Sequence, residues 1–155
     1  MTEGGGPLVR QAARVILVDE QDRVLLVHGR DPARPDRPTW WITAGGGQDE
    51  GESAEDAARR EVREETGIVL DELGPVVLRR SVEFDFEGVH VRQHEVFFLV
   101  RVGTGDVRLD TSGWNDIERR ALLELRWWRG QDLAVTDDVV YPEGLLELLR
   151  ENGIG

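Results

Sequence analysis

GGQDEGESAEDAARREVREETGI, running from Gly46 to Ile68, is the most informative stretch of the chain. Its second half predicts a helix over Ser53 to Thr66. Ser53 suits the N-cap, Asp56 the box position three residues later, and Gly67 the left-handed C-terminal closure. Glu61 and Glu65 stand one i,i+4 step apart and Glu61 and Glu64 one i,i+3 step, so the three carboxylates share a face. Like charges at these spacings destabilise a helix unless something positive sits among them. A hard divalent cation with oxygen ligands meets that need. Arg60 can pair with Glu64 at i,i+4, and Ala54, Ala57 and Ala58 are small enough to let the helix lie close against a sheet. A solvated, salt-bridged surface helix is the alternative. It accounts for neither the preceding glycines, which let backbone approach a ligand closely, nor Glu52 just ahead of the cap.

Outward from this stretch, β-branched and apolar runs alternate with turn signals. Ala12 to Val18 and Arg23 to Val27 read as a hairpin around Asp19-Glu20-Gln21-Asp22. Arg30 to Pro38 is a proline- and arginine-rich loop, and Trp40 to Thr43 a short strand entering Gly45-Gly46-Gly47. Val76 to Leu78, Val82 to Phe86 and Val89 to Val102 read as strands, with a turn at Glu87-Gly88. Glu124 to Trp128 is another strand, and Glu143 to Glu151 a helix begun after Pro142. Strands on both sides of a central helix predict an α+β or α/β fold: a mixed sheet with helices on its faces. Residues 1–9 are expected to be a flexible tail and residues 10–155 a single domain.

Composition narrows the function classes. The chain has 155 residues, no cysteine and a formal charge of −12. Thiolate metal sites and disulfides are excluded, and since every basic residue is arginine, lysine nucleophiles are too. The acidic excess argues against a nucleic-acid polymer as partner, because such proteins need a basic face. A small phosphorylated substrate fits if metal ions neutralise its charge locally. No apolar run approaches a membrane span, and Met1 to Pro7 lacks signal-peptide character, so the expected compartment is cytoplasmic.

Residues 46–68 resemble the Nudix box, Gly-x5-Glu-x7-Arg-Glu-U-x-Glu-Glu-x-Gly-U with U a bulky aliphatic residue. Gly46, Glu52, Arg60, Glu61, Val62, Glu64, Glu65, Gly67 and Ile68 fill its fixed positions. The resemblance implies a Nudix-type α/β/α sandwich with a mixed central β-sheet. It also implies a hydrolase that cleaves a phosphoanhydride bond in a nucleoside diphosphate derivative, using Mg2+ with Mn2+ as a substitute ion. Glu61, Glu64 and Glu65 would bind metal, helped by Glu52 and the Gly46 carbonyl, and Arg60 would orient a glutamate. Ala44 departs from the proline common before the glycines, and Asp49 from a common glutamate. The family places its general base either in the box, here Glu61 or Glu64, or in a later loop. By resemblance Glu118 is the first candidate there and Glu124 the second; an exposed salt-bridge partner of Arg119 is the other reading of Glu118. A homodimer is compatible with the resemblance.

Substrate contacts are sought elsewhere. Arg30, Arg34 and Arg37 lie on the loop before Trp40, where forked guanidiniums could hold phosphates, with Arg30 and Arg37 preferred. A solvated loop is the plainer reading of each. Trp40 and Trp41 must face opposite sides of a regular strand, one into the core and one free to stack on a base; Trp41 is the choice for stacking. Phe84, or Phe86, can stack but supplies no hydroxyl. Trp114, Trp127 and Trp128 are expected in the core, and His28, His90 and His94 as structural or exposed residues. No mark of a particular substrate subgroup is present. A catalytically silent nucleotide-binding sensor is the alternative to the enzyme, disfavoured because a binder has no need of the like-charge cluster. Isoprenoid diphosphate isomerisation on the same fold is disfavoured by the absence of cysteine.

Overall fold

The computed structural model describes residues 6–103 and 109–155. Residues 1–5 of the expected tail lie outside them, and strand β1 already begins at Leu8. Among the described residues seven strands form one mixed sheet: β1 (Leu8–Val18), β2 (Val24–Gly29), β3 (Trp40–Gly47), β4 (Val76–Phe86), β5 (Val89–Arg101), β6 (Leu122–Trp128) and β7 (Val139–Tyr141). The helices are α1 (Ala54–Thr66), α2 (Asp116–Ala121), α3 (Gly130–Val135) and α4 (Leu145–Glu151). Among the described residues no helix is long and apolar enough to cross a membrane.

Alternation along the strands places apolar residues on both faces. Val15, Leu17, Leu25 and Val27 pack on one side against Ala57, Ala58 and Val62 of α1. Ile16, Val18, Leu26 and Phe97 pack on the other against Leu145 and Leu149 of α4. Helix, sheet and helix thus make the expected α/β/α sandwich.

The sheet departs from a simple meander at β1. Its hairpin partner β2 meets it only at Val18↔Val24, while β5 runs parallel to it from Leu8↔Val91 to Val18↔Arg101. The place beside β1 is taken by β3, which pairs antiparallel with β2 through Trp40–Thr43 and with β1 through Ala44–Gly47. The strand expected to end at Thr43 therefore continues through the glycines to Gly47. Gly45 has φ +133°, and a Cβ there would lie 2.3 Å from the Ala13 carbonyl oxygen, so only glycine lets β3 pass this close to β1. β7 adds to β3 in parallel and β6 to β2 antiparallel. The short elements α2, α3 and β7 carry too few residues to show a period.

Candidate active site

Capping and packing fix how α1 presents its acids. Ser53 Oγ accepts the Asp56 N–H at 3.0 Å, and Gly67 (φ 81°) donates its N–H to Arg63 O. Asp56 does not complete a capping box; its carboxylate faces Arg59 instead. With Ala57, Ala58 and Val62 against the sheet, Glu61 and Glu64 emerge beside the glycine strand. The segment before α2 docks on the C-terminal turns of α1: Asp110 N–H donates to Thr66 O and Trp114 Nε1 to Glu65 O, both at 2.8 Å. A Cβ at Gly113 would lie 2.9 Å from Glu64 O, so the approach needs glycine. Asn115 then caps α2 through a reciprocal box with Glu118. This chain of contacts brings Glu118 to α1, where one oxygen each of Glu61, Glu64 and Glu118 lie within 4.8 Å of one another.

Arg60 organises the acids. Its Nε and Nη2 each donate to Glu52 at 2.9 Å, and Nη1 reaches Glu61 at 3.1 Å and Glu64 at 3.3 Å. Nη2 also donates to Gly47 O at 3.0 Å. The fork on Glu52, with the Asp49 N–H, lowers that carboxyl to about 2 and raises the Arg60 pKa. Burial raises the pKa of Glu61, and Glu118 and Glu64 add to the rise while Arg60 opposes it. Glu65 is buried and raised further, by burial first and then by Glu61, although it accepts the Gly45 N–H at 2.9 Å.

Of the expected metal ligands, Glu61 and Glu64 therefore meet, joined by Glu118. Glu52 is engaged by Arg60 and Glu65 by the β3 backbone. Gly46 abuts the cluster: a Cβ there would lie 2.7 Å from the Glu61 carboxyl carbon. Glu61, Glu64 and Glu118 concentrate negative charge beside one guanidinium already committed to Glu52. An all-oxygen carboxylate set with this charge excess fits a hard divalent cation such as Mg2+.

A cavity of about 630 Å3 has Glu65 and Gly45 in its wall, but not Glu61, Glu64 or Glu118. Arg30, Arg37 and Phe84 line it, and Arg30 Nε donates to Arg120 O at 2.7 Å. Arg34 is turned to Asp36. Trp41 is a correction: it is 3% exposed, stacked on His28 at 4.3 Å and edge-on to Trp128, with Nε1 bonded to Asp138. It faces the α4 side of the sheet and cannot stack on a base; Trp40 lines the cavity instead. Glu124 stands 4.0 Å from His28, outside the carboxylate group. Trp128 is core, and Trp127 packs at its edge.

Sequence reasoning missed the arginines of the strands. Arg10, Arg14 and Arg80 all line the cavity, with Glu95 and Thr43. The legible signal was a charge interrupting an apolar strand, as at Arg14 and Glu95, but its target depends on strand register. At the far end of β4, His90 Nδ1 lies 2.6 Å from Asp85 and Nε2 2.9 Å from Glu83. Asp85 first and Glu83 second raise the His90 pKa above 6.5, and His90 lowers theirs. The clamp is complete below the ordinary histidine pKa and above the ordinary carboxylate range. It weakens as pH rises through the raised His90 pKa, and as pH falls through the lowered carboxylate values. NMR titration of His90 is expected to give a midpoint above 6.5 that falls toward that value in Asp85→Asn; an unchanged midpoint would remove the clamp.

Residues 8–149 match the NUDIX domain family. The chain belongs to the Nudix family. The RNA pyrophosphohydrolase of Caulobacter vibrioides is 32% identical, over 92% of this chain and 83% of that protein. The dihydroneopterin triphosphate diphosphatase of Escherichia coli is 38% identical over 73 residues, 46% of this chain, and the match spans only 45% of that relative. Among solved structures, the MutT NUDIX hydrolase of Burkholderia pseudomallei superposes with a TM-score of 0.64 at 22% identity, covering 91% of this chain and 98% of that one. The NUDIX domain of Shewanella oneidensis NrtR, complexed with ADP ribose, gives 0.64 at 19% identity, covering 96% and 89%. These superpositions establish the Nudix fold.

Proposed function

We propose that this Nudix protein is a Mg2+-dependent hydrolase that cleaves a phosphoanhydride bond in a nucleoside diphosphate derivative by water attack on phosphorus. The observation that carries the reading is the approach of Glu118 from a separate helix to Glu61 and Glu64 on α1, within 4.8 Å. Such a group is costly to hold together without a cation and has no use in a protein that only binds nucleotide. Glu61 and Glu64 would hold the ion, with Glu118 facing it. Bound there, a divalent cation would supply neutralisation of the diphosphate oxygens and a lowered pKa for water. Arg60 keeps Glu52, Glu61 and Glu64 in register. Glu118 spends Oε1 on the Asn115 N–H, leaving its other oxygen to accept the proton of the attacking water. Arg30 and Arg37 would contact substrate phosphates, and Trp40 and Phe84 its base.

Phosphate-product analysis on a nucleotide panel with Mg2+ tests this. The panel holds nucleoside triphosphates, ADP-ribose, diadenosine polyphosphates and nucleotide sugars. It also includes dihydroneopterin triphosphate and a 5′-triphosphorylated RNA oligomer, after the activities named for two relatives. Cleavage of one class into its two phosphorylated products is expected, a nucleoside monophosphate with a sugar phosphate or second nucleotide, or with diphosphate from a triphosphate, and the charge of −12 places the RNA last. Tight binding of a member with turnover of none would replace the enzyme with a sensor.

A further inference from the structure

The cavity wall formed by β1, β4 and β5 holds charges that the carboxylate cluster does not explain. Glu95 on β5 is 4% exposed. It accepts from Arg80 Nε at 2.6 Å, Gln93 Nε2 at 2.8 Å and Arg14 Nε at 3.1 Å. Register delivers the arginines from the flanking strands, since Glu95 sits opposite Arg80 of β4 and Ala12 of β1. Two guanidiniums thus share one carboxylate. One would satisfy it; the second, with Arg10 on the same wall, leaves local positive charge whose other carboxylate neighbour is Glu65, in a chain whose overall charge is −12. Such a cation is costly without a counter-charge.

The free donors of this group lie on the cavity. Arg14 spends Nη1 on the carbonyls of Thr43 and Gly45, both at 3.2 Å, and keeps Nη2. Arg80 lies over the Phe97 ring, 5.5 Å from its centroid, and its Nη nitrogens have no hydrogen-bond partner among the described residues. Thr43 lines the same cavity, is fully buried, and its Oγ1 has no partner. The place is joined to the acidic helix through one residue: Gly45 O accepts from Arg14 while Gly45 N–H donates to Glu65 of α1.

We propose that Arg80, Arg14 and Thr43 form a subsite for a phosphoryl group of the substrate. Glu95 is its positioning residue, holding both guanidiniums by Nε so that their outer nitrogens stay free. A guanidinium edge and a hydroxyl match the oxygens of a phosphoryl group, and the net positive charge supplies the attraction. That this phosphoryl belongs to the substrate rests on the hydrolase reading; the binding chemistry does not.

Calorimetric titration with inorganic diphosphate in chelator-containing buffer tests the subsite without turnover. Wild type is expected to bind. Arg80→Gln weakens binding by about ten-fold or more, the scale of a hydrogen bond to a charged group. Thr43→Val removes a hydroxyl the fold does not use, so it folds and weakens binding by roughly three- to five-fold. Arg150→Gln, on the exposed end of α4, binds as wild type. Glu95→Gln added to Arg80→Gln costs less than it does alone, because Glu95 acts through Arg80. A wild type that does not bind diphosphate, or Arg80→Gln and Thr43→Val proteins that bind as wild type does, would overturn the subsite. Turnover on the panel with unaltered diphosphate binding by these variants removes the subsite and leaves the hydrolase. Arg80-dependent diphosphate binding without turnover of any nucleotide does the reverse.

Discussion

Glu64→Gln is expected to lower turnover on the best substrate of the panel by about three orders of magnitude while leaving the protein folded. The amide keeps the shape of the side chain and can still accept from Arg60 Nη1, which stands 3.3 Å from Glu64 Oε1. What it loses is one negative charge from the group with Glu61 and Glu118. That loss weakens the hold on a divalent cation. It also relieves repulsion at i,i+3 from Glu61, so the melting temperature should stay or rise slightly. Steady-state kinetics with Mg2+ at saturation, with a thermal melt of each protein, checks both halves. Turnover within ten-fold of wild type would remove Glu64 from the machinery, and loss of turnover with loss of fold would assign it a structural role.

Gly45→Ala is expected to cost about 3 kcal/mol of stability or more, in contrast to Gly46→Ala beside it. At Gly45 a Cβ would meet backbone, 2.3 Å from the Ala13 carbonyl oxygen and 2.6 Å from the Arg14 Cα, and φ +133° is itself unfavourable for alanine. Neither strand can yield without breaking the β1–β3 ladder. At about 2–4 °C per kcal/mol for a domain of this size, the melting temperature falls by roughly 6–12 °C. At Gly46 the atoms nearest the Cβ would be those of the Glu61 carboxylate, from 2.7 Å, the end of a movable side chain. Gly46→Ala should therefore fold, displace Glu61 and lose activity. Denaturant unfolding of the two variants checks the contrast; equal stabilities would show that β3 has room beside β1.

Local rules were enough for much of this. The α1 boundaries, the hairpin turn at Glu87-Gly88 and the small face of Ala57 and Ala58 follow from caps, turn residues and period, and the structure has them in place. Glu61, Glu64 and Arg60 were legible for the same reason: one helix brings them together at fixed spacing. Trp41 went astray because alternation tells that neighbouring side chains face opposite ways, not which way is the core. The His28 stack and the Trp128 edge that enclose Trp41 come from β2 and β6.

The amino-acid sequence by itself determined the family and the acidic helix, since both depend on residues near in the chain. Only the tertiary structure decided that Glu118 joins Glu61 and Glu64 while Glu52 and Glu65 turn elsewhere, and that Arg14 and Arg80 meet at Glu95. Those meetings depend on strand register and on how one loop docks against α1. They are set by backbone hydrogen bonds between segments far apart in sequence, which no local spacing encodes.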